Sequence, residues 1–463
     1  SPVIRPAYAT HNPFTVAAIY FYNETLGGEF EFQKLYGMGD GLFEQVKKER
    51  GTDIRVYAPV GEYKDLLAYL VRRLLENGAN TSFVYNQNVV DPFTEAKKTT
   101  TNLPNYRDLY GNRKNSRGYD LTDPEKIGQM VENQNYHVVK EPLLSVTDSI
   151  DRLTAYSSTW SAMPFAERKR IILNYCDALE EAMIPAVNNI VDTAFKTYPN
   201  AVAETREAID FIRYYAEEAE KLYEPEECLG YTGEHNLTTY EARGTWMVIA
   251  PWNFPLAIFL GPIAAALLTG NTVLAKPAPQ TLEIAEITLS CMYMSGVPVD
   301  AIRLCDPDPA KAEVALQDER ISGVTFTGSH PTAKRIQRIL AERDGPIIPF
   351  IAETGGINAM IADSTCLPEQ LVKDTVSGAF DSAGQRCSAT RFLFLQRDNA
   401  DSIIEMLKGA MRCCVMGFAN DLNTDVSRVI DGEAYKRIMD RVAVLEEDEE
   451  LIATKARNGK DLH

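Results

Sequence analysis

The sequence has no apolar run able to cross a bilayer. The longest, roughly Phe254 to Thr269, is short and interrupted by Gly261 and Pro262, whereas a spanning helix needs about 20 consecutive apolar residues. Basic residues are in deficit: 47 Lys and Arg against 65 Asp and Glu give a formal net charge of −18. That balance excludes a chain-wide electrostatic footprint for nucleic acid. There are 8 cysteines in 463 residues, with no CxxC pair and no metal-ligand spacing. A disulfide scaffold and a cysteine-bound metal site are therefore not expected, and reduced thiols in a cytoplasmic compartment are. A GxGxxG fingerprint, internal repeats and low-complexity tracts are all missing. Ser1-Pro2 leads straight into a strand-like segment, with no secretory leader expected.

What remains is the composition of a globular chain, 45% hydrophobic and 24% charged, too long for one ordinary domain. Residues 1–90 contain strand-like DIRVYAPV (53–60) and a helical run KDLLAYLVRRLLEN (64–77) closed by Gly78. Residues 91–150 are polar and Pro/Gly-rich without a sustained period, which reads as a linker or as an extended arm lying on another domain. From 151 onward, strand-like runs at 245–251, 272–277, 301–306, 323–328 and 347–353 alternate with helical patterns such as PLAIFLGPIAAALLTG. This alternation predicts an α/β fold with a parallel sheet covered by helices.

On the 64–77 helix, Leu66, Leu67, Leu70, Val71, Leu74 and Leu75 form an apolar stripe. Tyr69, Arg72, Arg73 and Glu76 fall on the opposite face. Adjacent arginines can hold a carboxylate through charge-assisted hydrogen bonds, and Tyr57 sits at the strand end where barrel active sites collect. Taken alone, such a face is ordinary solvated surface. The run IRVYAPVGEYKDLLAYLVRRLLENGANTSFV, however, resembles the last strand and helix of the proline dehydrogenase barrel in the proline utilization A family. The resemblance implies that Arg72 and Arg73 hold the carboxylate of proline, with Tyr57, Tyr69 and Glu76 in the same pocket. YATHNPFTVAAI resembles an earlier strand of that barrel, implying that Thr10 and His11 approach FAD. Residues 1–90 would then be the C-terminal part of a (β/α)8 barrel that takes about 250 residues in full. Proline oxidation is therefore not expected of this chain by itself. DLYGNRKNSRGYDLTD looks like the segment that joins the two enzymes of the same family.

Four further motifs follow in order: PWNFP (251–255), FTGS (326–329), ETGG (353–356) and GQRCSA (384–389). Each is weak singly. Oxidising an aldehyde to an acid needs a nucleophile, an oxyanion donor, a hydride acceptor and a base for water. Cys387 lies in a Gly-rich turn between a helix (about 367–380) and a strand (389–396), where a thiolate could add to an aldehyde carbon. The other seven cysteines read as inert. Asn253, in a Pro-bracketed turn, carries an amide N–H of fixed direction, and Glu353, at the end of an apolar strand, could activate water. The ordered set resembles the aldehyde dehydrogenase superfamily over roughly 151–463, which implies these three catalytic roles. Ser388 matches a position that helps to hold the substrate carboxylate.

In place of a GxGxxG, the resemblance implies NAD bound by Lys276 in AKPAP, by Gly328 and Ser329 at a helix N-terminus, and beside Trp252. Two residues depart from the pattern: Pro279 stands where many relatives have a ribose-binding Glu, and Ala333 replaces a second glycine. Residues 151–352 would form a Rossmann-like NAD-binding domain and 353–463 the start of an α/β catalytic domain. An EIFGP motif and a later Gly-rich anchor loop are not found before His463, so an internal fragment of a longer polypeptide, feebly active alone, is expected. Joined to a proline dehydrogenase, the substrate implied is L-glutamate γ-semialdehyde and the product glutamate. The expected partners are this semialdehyde and proline, a homo-oligomer in the complete protein, no nucleic acid and no metal, with peripheral membrane contact compatible with the sequence. Two other readings are a broader-specificity aldehyde dehydrogenase with a vestigial barrel arm and a non-catalytic dinucleotide-binding protein. The Arg72-Arg73 helix with its linker counts against the first, and Asn253, Glu353 and Cys387 together count against the second.

Overall fold

Strand and helix alternate three times at the start of the chain. Three short strands, β1 (Ala7–Ala9), β2 (Glu31–Leu35) and β3 (Ile54–Tyr57), lie parallel in the order β1-β2-β3. A helix follows each one: Pro13–Leu26, Asp40–Arg50 and Tyr63–Gly78. The first is started by Asn12, whose side chain accepts from the Phe14 N–H at 2.9 Å, with Pro13 in the first turn where no N–H is needed. Val16, Tyr20, Phe32, Phe43 and Val46 close over one another as the core of this unit. The structure, a computed structural model, describes residues 5–78, 105–132 and 142–444. Its chain divides into two units, 1–104 and 105–463.

The apolar stripe expected on the 63–78 helix is real but uncovered. Leu67, Leu70, Val71 and Leu75 are all exposed, Leu75 to 69%. The side chains of Leu74 and Glu76 lie outside the described residues.

The second unit is built on a five-stranded, all-parallel sheet of β6 (Thr245–Ile249), β7 (Thr272–Lys276), β8 (Ile302–Leu304), β9 (Ile321–Gly328) and β10 (Phe350–Thr354), in the order β10-β9-β6-β7-β8. Before it comes a short antiparallel hairpin, β4 (Glu226–Cys228) with β5 (Asn236–Thr238). From β6 the chain winds outward through β7 and β8, then returns to the other side of β6 for β9 and β10. Such a reversal opens a crevice at the C-terminal strand ends. Packed beneath is a helical layer, of which Tyr198–Leu222 against Ala257–Leu268 is the centre. The carbonyls left over at the end of Ala257–Leu268 are met by buried side chains. Trp160 Nε1 donates to Leu267 O at 3.0 Å and Arg168 Nε to Leu268 O at 3.2 Å.

Of the 91–150 stretch, residues 105–132 lie on this helical layer. Met130 is fully buried in its core, and Ser116 donates to Asp210 through both backbone and hydroxyl. The helix Val146–Ala162 begins within the stretch, capped by Ser145. A second, two-stranded parallel sheet pairs β11 (Asn358–Ala362) with β12 (Thr390–Leu395). The helices Pro368–Phe380 and Arg397–Cys413 pack on one of its faces through Leu371, Val372 and Ile403.

Candidate active site

Four of the expected cofactor residues converge on one cleft. Trp252 follows β6, Lys276 ends β7, Gly328 ends β9 and Ser329 comes next. All line a cavity of about 380 Å³ at the C-terminal ends of the strands, where the strand order reverses. Its apolar walls include Pro251, Ala278, Leu316, Phe326 and Ile336, with Gln280, Glu313 and Arg335 among the polar residues beside them. Gly328 is required there for space: a Cβ would come within 2.6 Å of the Phe326 ring. Ser329 caps the helix His330–Glu342, its hydroxyl accepting from Thr332 N–H. Pro331 lacks an N–H, so this helix end offers the His330 amide and the Ser329 and Thr332 hydroxyls instead of a run of amides. Lys276 is 7% exposed, and its ammonium donates to the Pro277 carbonyl at 3.2 Å. Burial pushes its pKa down, opposed by Cys305, Asp308 and Asp306. Pro279 lies in the same wall.

The second cluster is the turn that carries Cys387. Residues 382–384 run consecutively through left-handed conformations, at φ 54° for Ser382, 55° for Ala383 and 68° for Gly384. For Ser and Ala such a backbone costs about 1–2 kcal/mol each. Only glycine fits at 384, since a Cβ would sit 2.8 Å from the Ala379 carbonyl. The turn is over-determined by hydrogen bonds. Ser382 O accepts from the Gln385 N–H and Nε2, Ser382 Oγ from Arg386 Nε, and Gly384 O from Arg391. Cys387 follows, exposed, with Ser388 exposed beside it.

Two asparagines hold this turn. Asn253 Nδ2 donates to Gln385 O at 2.9 Å, bridging PWNFP to the residue two before Cys387. The bond fixes which way the amide points and leaves a second N–H on the same nitrogen. Asn358 Nδ2 donates to Cys387 O at 2.7 Å and to Ala389 O at 3.1 Å. Glu353 is exposed, the fourth residue of β10, opposite Thr327 of β9. Asn253 and Cys387 are thus brought to one turn, while Glu353 approaches it along the chain, five residues before Asn358.

In the first unit, Thr10 and His11 directly follow β1 and Tyr57 ends β3, at the same end of parallel strands. Arg73 lies with its guanidinium 5.1 Å over the Tyr69 ring, and Arg72 is exposed on the same helix. Asn358, Gln385, Arg386, Glu204 and Lys196 were not anticipated from sequence.

Residues 143–461 match the model of the aldehyde dehydrogenase family. The chain belongs to that family. A proline dehydrogenase model matches residues 1–86. Among its relatives, the bifunctional protein PutA of Escherichia coli K12 is 40% identical over 94% of this chain and 37% of its own length. A 1-pyrroline-5-carboxylate dehydrogenase of Staphylococcus aureus MW2 is 29% identical over 71% of this chain and 64% of its own. A crystal structure of bifunctional proline utilization A superposes with a TM-score of 0.77 at 41% identity, covering 99% of this chain and 49% of that one. The chain therefore spans well under two thirds of the length of these PutA relatives. Among the described residues no helix is long and apolar enough to cross a membrane, and no group of His, Cys, Asp and Glu could hold a metal ion.

Proposed function

We propose that this chain carries the NAD-dependent oxidation of L-glutamate γ-semialdehyde to glutamate, within a cytoplasmic polypeptide that also oxidises proline with FAD. The observation that carries the reading is the Asn253–Gln385 bond, which sets an amide donor against the turn holding Cys387. The Cys387 thiolate adds to the aldehyde carbon, forming a C–S bond, and the carbonyl oxygen becomes an alkoxide. The remaining Asn253 N–H stabilises that alkoxide; donors of this kind are worth about 3 kcal/mol. A nicotinamide dinucleotide, which Lys276, Ser329, Gly328 and Trp252 would hold, would supply the hydride acceptor; loss of that hydride from the adduct carbon re-forms the C=O and leaves a thioester on Cys387. Glu353 then takes a proton from water, which adds to the thioester carbon; the C–S bond breaks and Cys387 leaves as thiolate. Ser388 holds the far carboxylate of the substrate. Residues 151–352 act as the dinucleotide-binding part and 353–463 as the catalytic part.

Residues 1–90 supply one side of a proline site, with Arg72 and Arg73 on the carboxylate, Tyr57, Tyr69 and Glu76 around it, and Thr10 and His11 toward the flavin. Three β/α repeats do not enclose a flavin, so no step is derived through one. The complete protein is a homo-oligomer, and residues 91–150 connect its two enzymes. The test is made in the full-length polypeptide containing this chain. Cys387→Ala abolishes NADH formation from the semialdehyde, and Glu353→Gln retains a single-turnover burst while slowing steady turnover. Wild-type rates in Cys387→Ala would overturn the assignment.

A further inference from the structure

A buried ion pair lies directly behind the amide donor. Glu204, 1% exposed on the helix Tyr198–Leu222, accepts from Lys196 Nζ at 2.6 Å through Oε2. Its Oε1 accepts from the backbone N–H of Leu256 at 2.9 Å and of Ala257 at 3.4 Å. These amides open the helix Ala257–Leu268, whose cap residue Leu256 has no side-chain acceptor of its own. The cap is therefore imported from another helix, and it fixes the chain three residues beyond Asn253. The same pair also reaches the intervening residue, because Lys196 Nζ stands 3.6 Å above the centre of the Phe254 ring.

The other half of the site is held from the same helix. Asn200, one turn before Glu204 and on the same face, accepts from the Arg386 guanidinium. Arg386 precedes Cys387 and also lies 5.8 Å from the Phe254 ring centre. One helix face thus grips the amide-donor turn through Glu204 and the nucleophile turn through Asn200. Burying a carboxylate and an ammonium carries a desolvation cost that a hydrophobic pair of the same volume avoids. What the charged pair adds here is direction: two hydrogen bonds to the backbone amides just after the PWNFP turn and one cation over a ring within it.

We propose that Glu204, oriented by Lys196, is a positioning residue that sets Asn253 for oxyanion stabilisation. This rests on the assignment of Asn253 as the oxyanion donor. A donor displaced by about 1 Å can cost on the order of 100-fold in rate. In the full-length polypeptide, Glu204→Ala should lower the single-turnover hydride-transfer rate about 100-fold, near the loss given by Asn253→Ala. KM for NAD and for the semialdehyde should change less than about threefold, since neither contact to substrate is removed.

Two controls separate positioning from folding. Lys196→Met combined with Glu204→Gln keeps the size and the acceptor for the Leu256 and Ala257 amides while removing both charges, and should restore the rate to within about tenfold of wild type. In an Asn253→Ala background, Glu204→Ala should cost less than about threefold more, because residues acting as a unit are not additive. Full additivity in that background, or a normal rate in Glu204→Ala, would overturn the proposal. Should Asn253→Ala itself transfer hydride at the wild-type rate, the oxyanion assignment fails first and the proposal falls with it.

Discussion

Replacing Glu180 with glutamine removes the charge that fastens residues 105–117 to the helical layer. Glu180 is 6% exposed. It accepts from Arg213 at 3.0 and 3.2 Å, from Arg107 at 3.1 and 3.4 Å and from the Arg117 backbone N–H at 2.7 Å. Burial alone would raise the pKa of its carboxyl. The bonds from Arg213, Arg107 and the Arg117 amide overcome that and bring it from 4.5 down to about 2. At about 1.36 kcal/mol for each tenfold change in proton affinity, the ionised form contributes on the order of 3 kcal/mol. The sign follows from the lowered value: the contribution is complete above about pH 5 and is lost as pH falls toward 2. Glu180→Gln should therefore cost about 3 kcal/mol in urea unfolding at pH 7, but only about 2 kcal/mol at pH 3.5. Trypsin should also cut faster after Arg107, Arg113 and Arg117 in the variant at neutral pH. A stability difference below about 1 kcal/mol, or one equal at both pH values, would refute the reasoning.

Two smaller perturbations follow from the site. Ala383→Gly relieves a left-handed backbone and should raise the thermal midpoint by the equivalent of about 0.5 kcal/mol, after the greater freedom glycine gives the unfolded chain; a lower midpoint would argue against strain in this turn. Lys276→Met should weaken NAD binding in a direct titration about tenfold without lowering the thermal midpoint, because it removes a buried ammonium whose partner is one carbonyl. Unchanged binding would remove Lys276 from the cofactor site.

The apolar runs at 245–251, 272–277 and 323–328 each became a strand of the parallel sheet with ends within two residues, because a largely buried strand is recognisable as a short apolar run. Cys387 and Asn253 stood out because glycines and prolines confine their turns to few conformations. β2 and β11 were not singled out; each is only five residues long, β2 being broken by Gln33 and Lys34 and β11 having alanine at two of its positions, so neither gave a period to follow. Asn358 and Glu204 escaped for a different reason. Their partners are backbone groups 29 and 52 residues away, and such bonds leave no local pattern. Within AVAETREAID, Glu204 reads as one more solvated helix charge until the fold buries it. The apolar stripe of the 63–78 helix was legible, but the cover for it was not, since a stripe states only that something is to be buried there.

β10 belongs to the five-stranded sheet and β11 to the two-stranded one, with Gly355, Gly356 and Ile357 as the strip between them. Glu353 is thus carried by the sheet that forms the cleft, and Cys387 by the sheet beyond. The separation of Glu353 from Cys387 therefore runs through a three-residue ribbon with two glycines, the residue type that restrains the backbone least. The Asn253–Gln385 bond ties the chain just after β6 to the turn just before β12. On the roles proposed for Glu353 and Cys387, stiffening 355–357 should alter the rate of thioester hydrolysis while leaving each proposed reacting group in place.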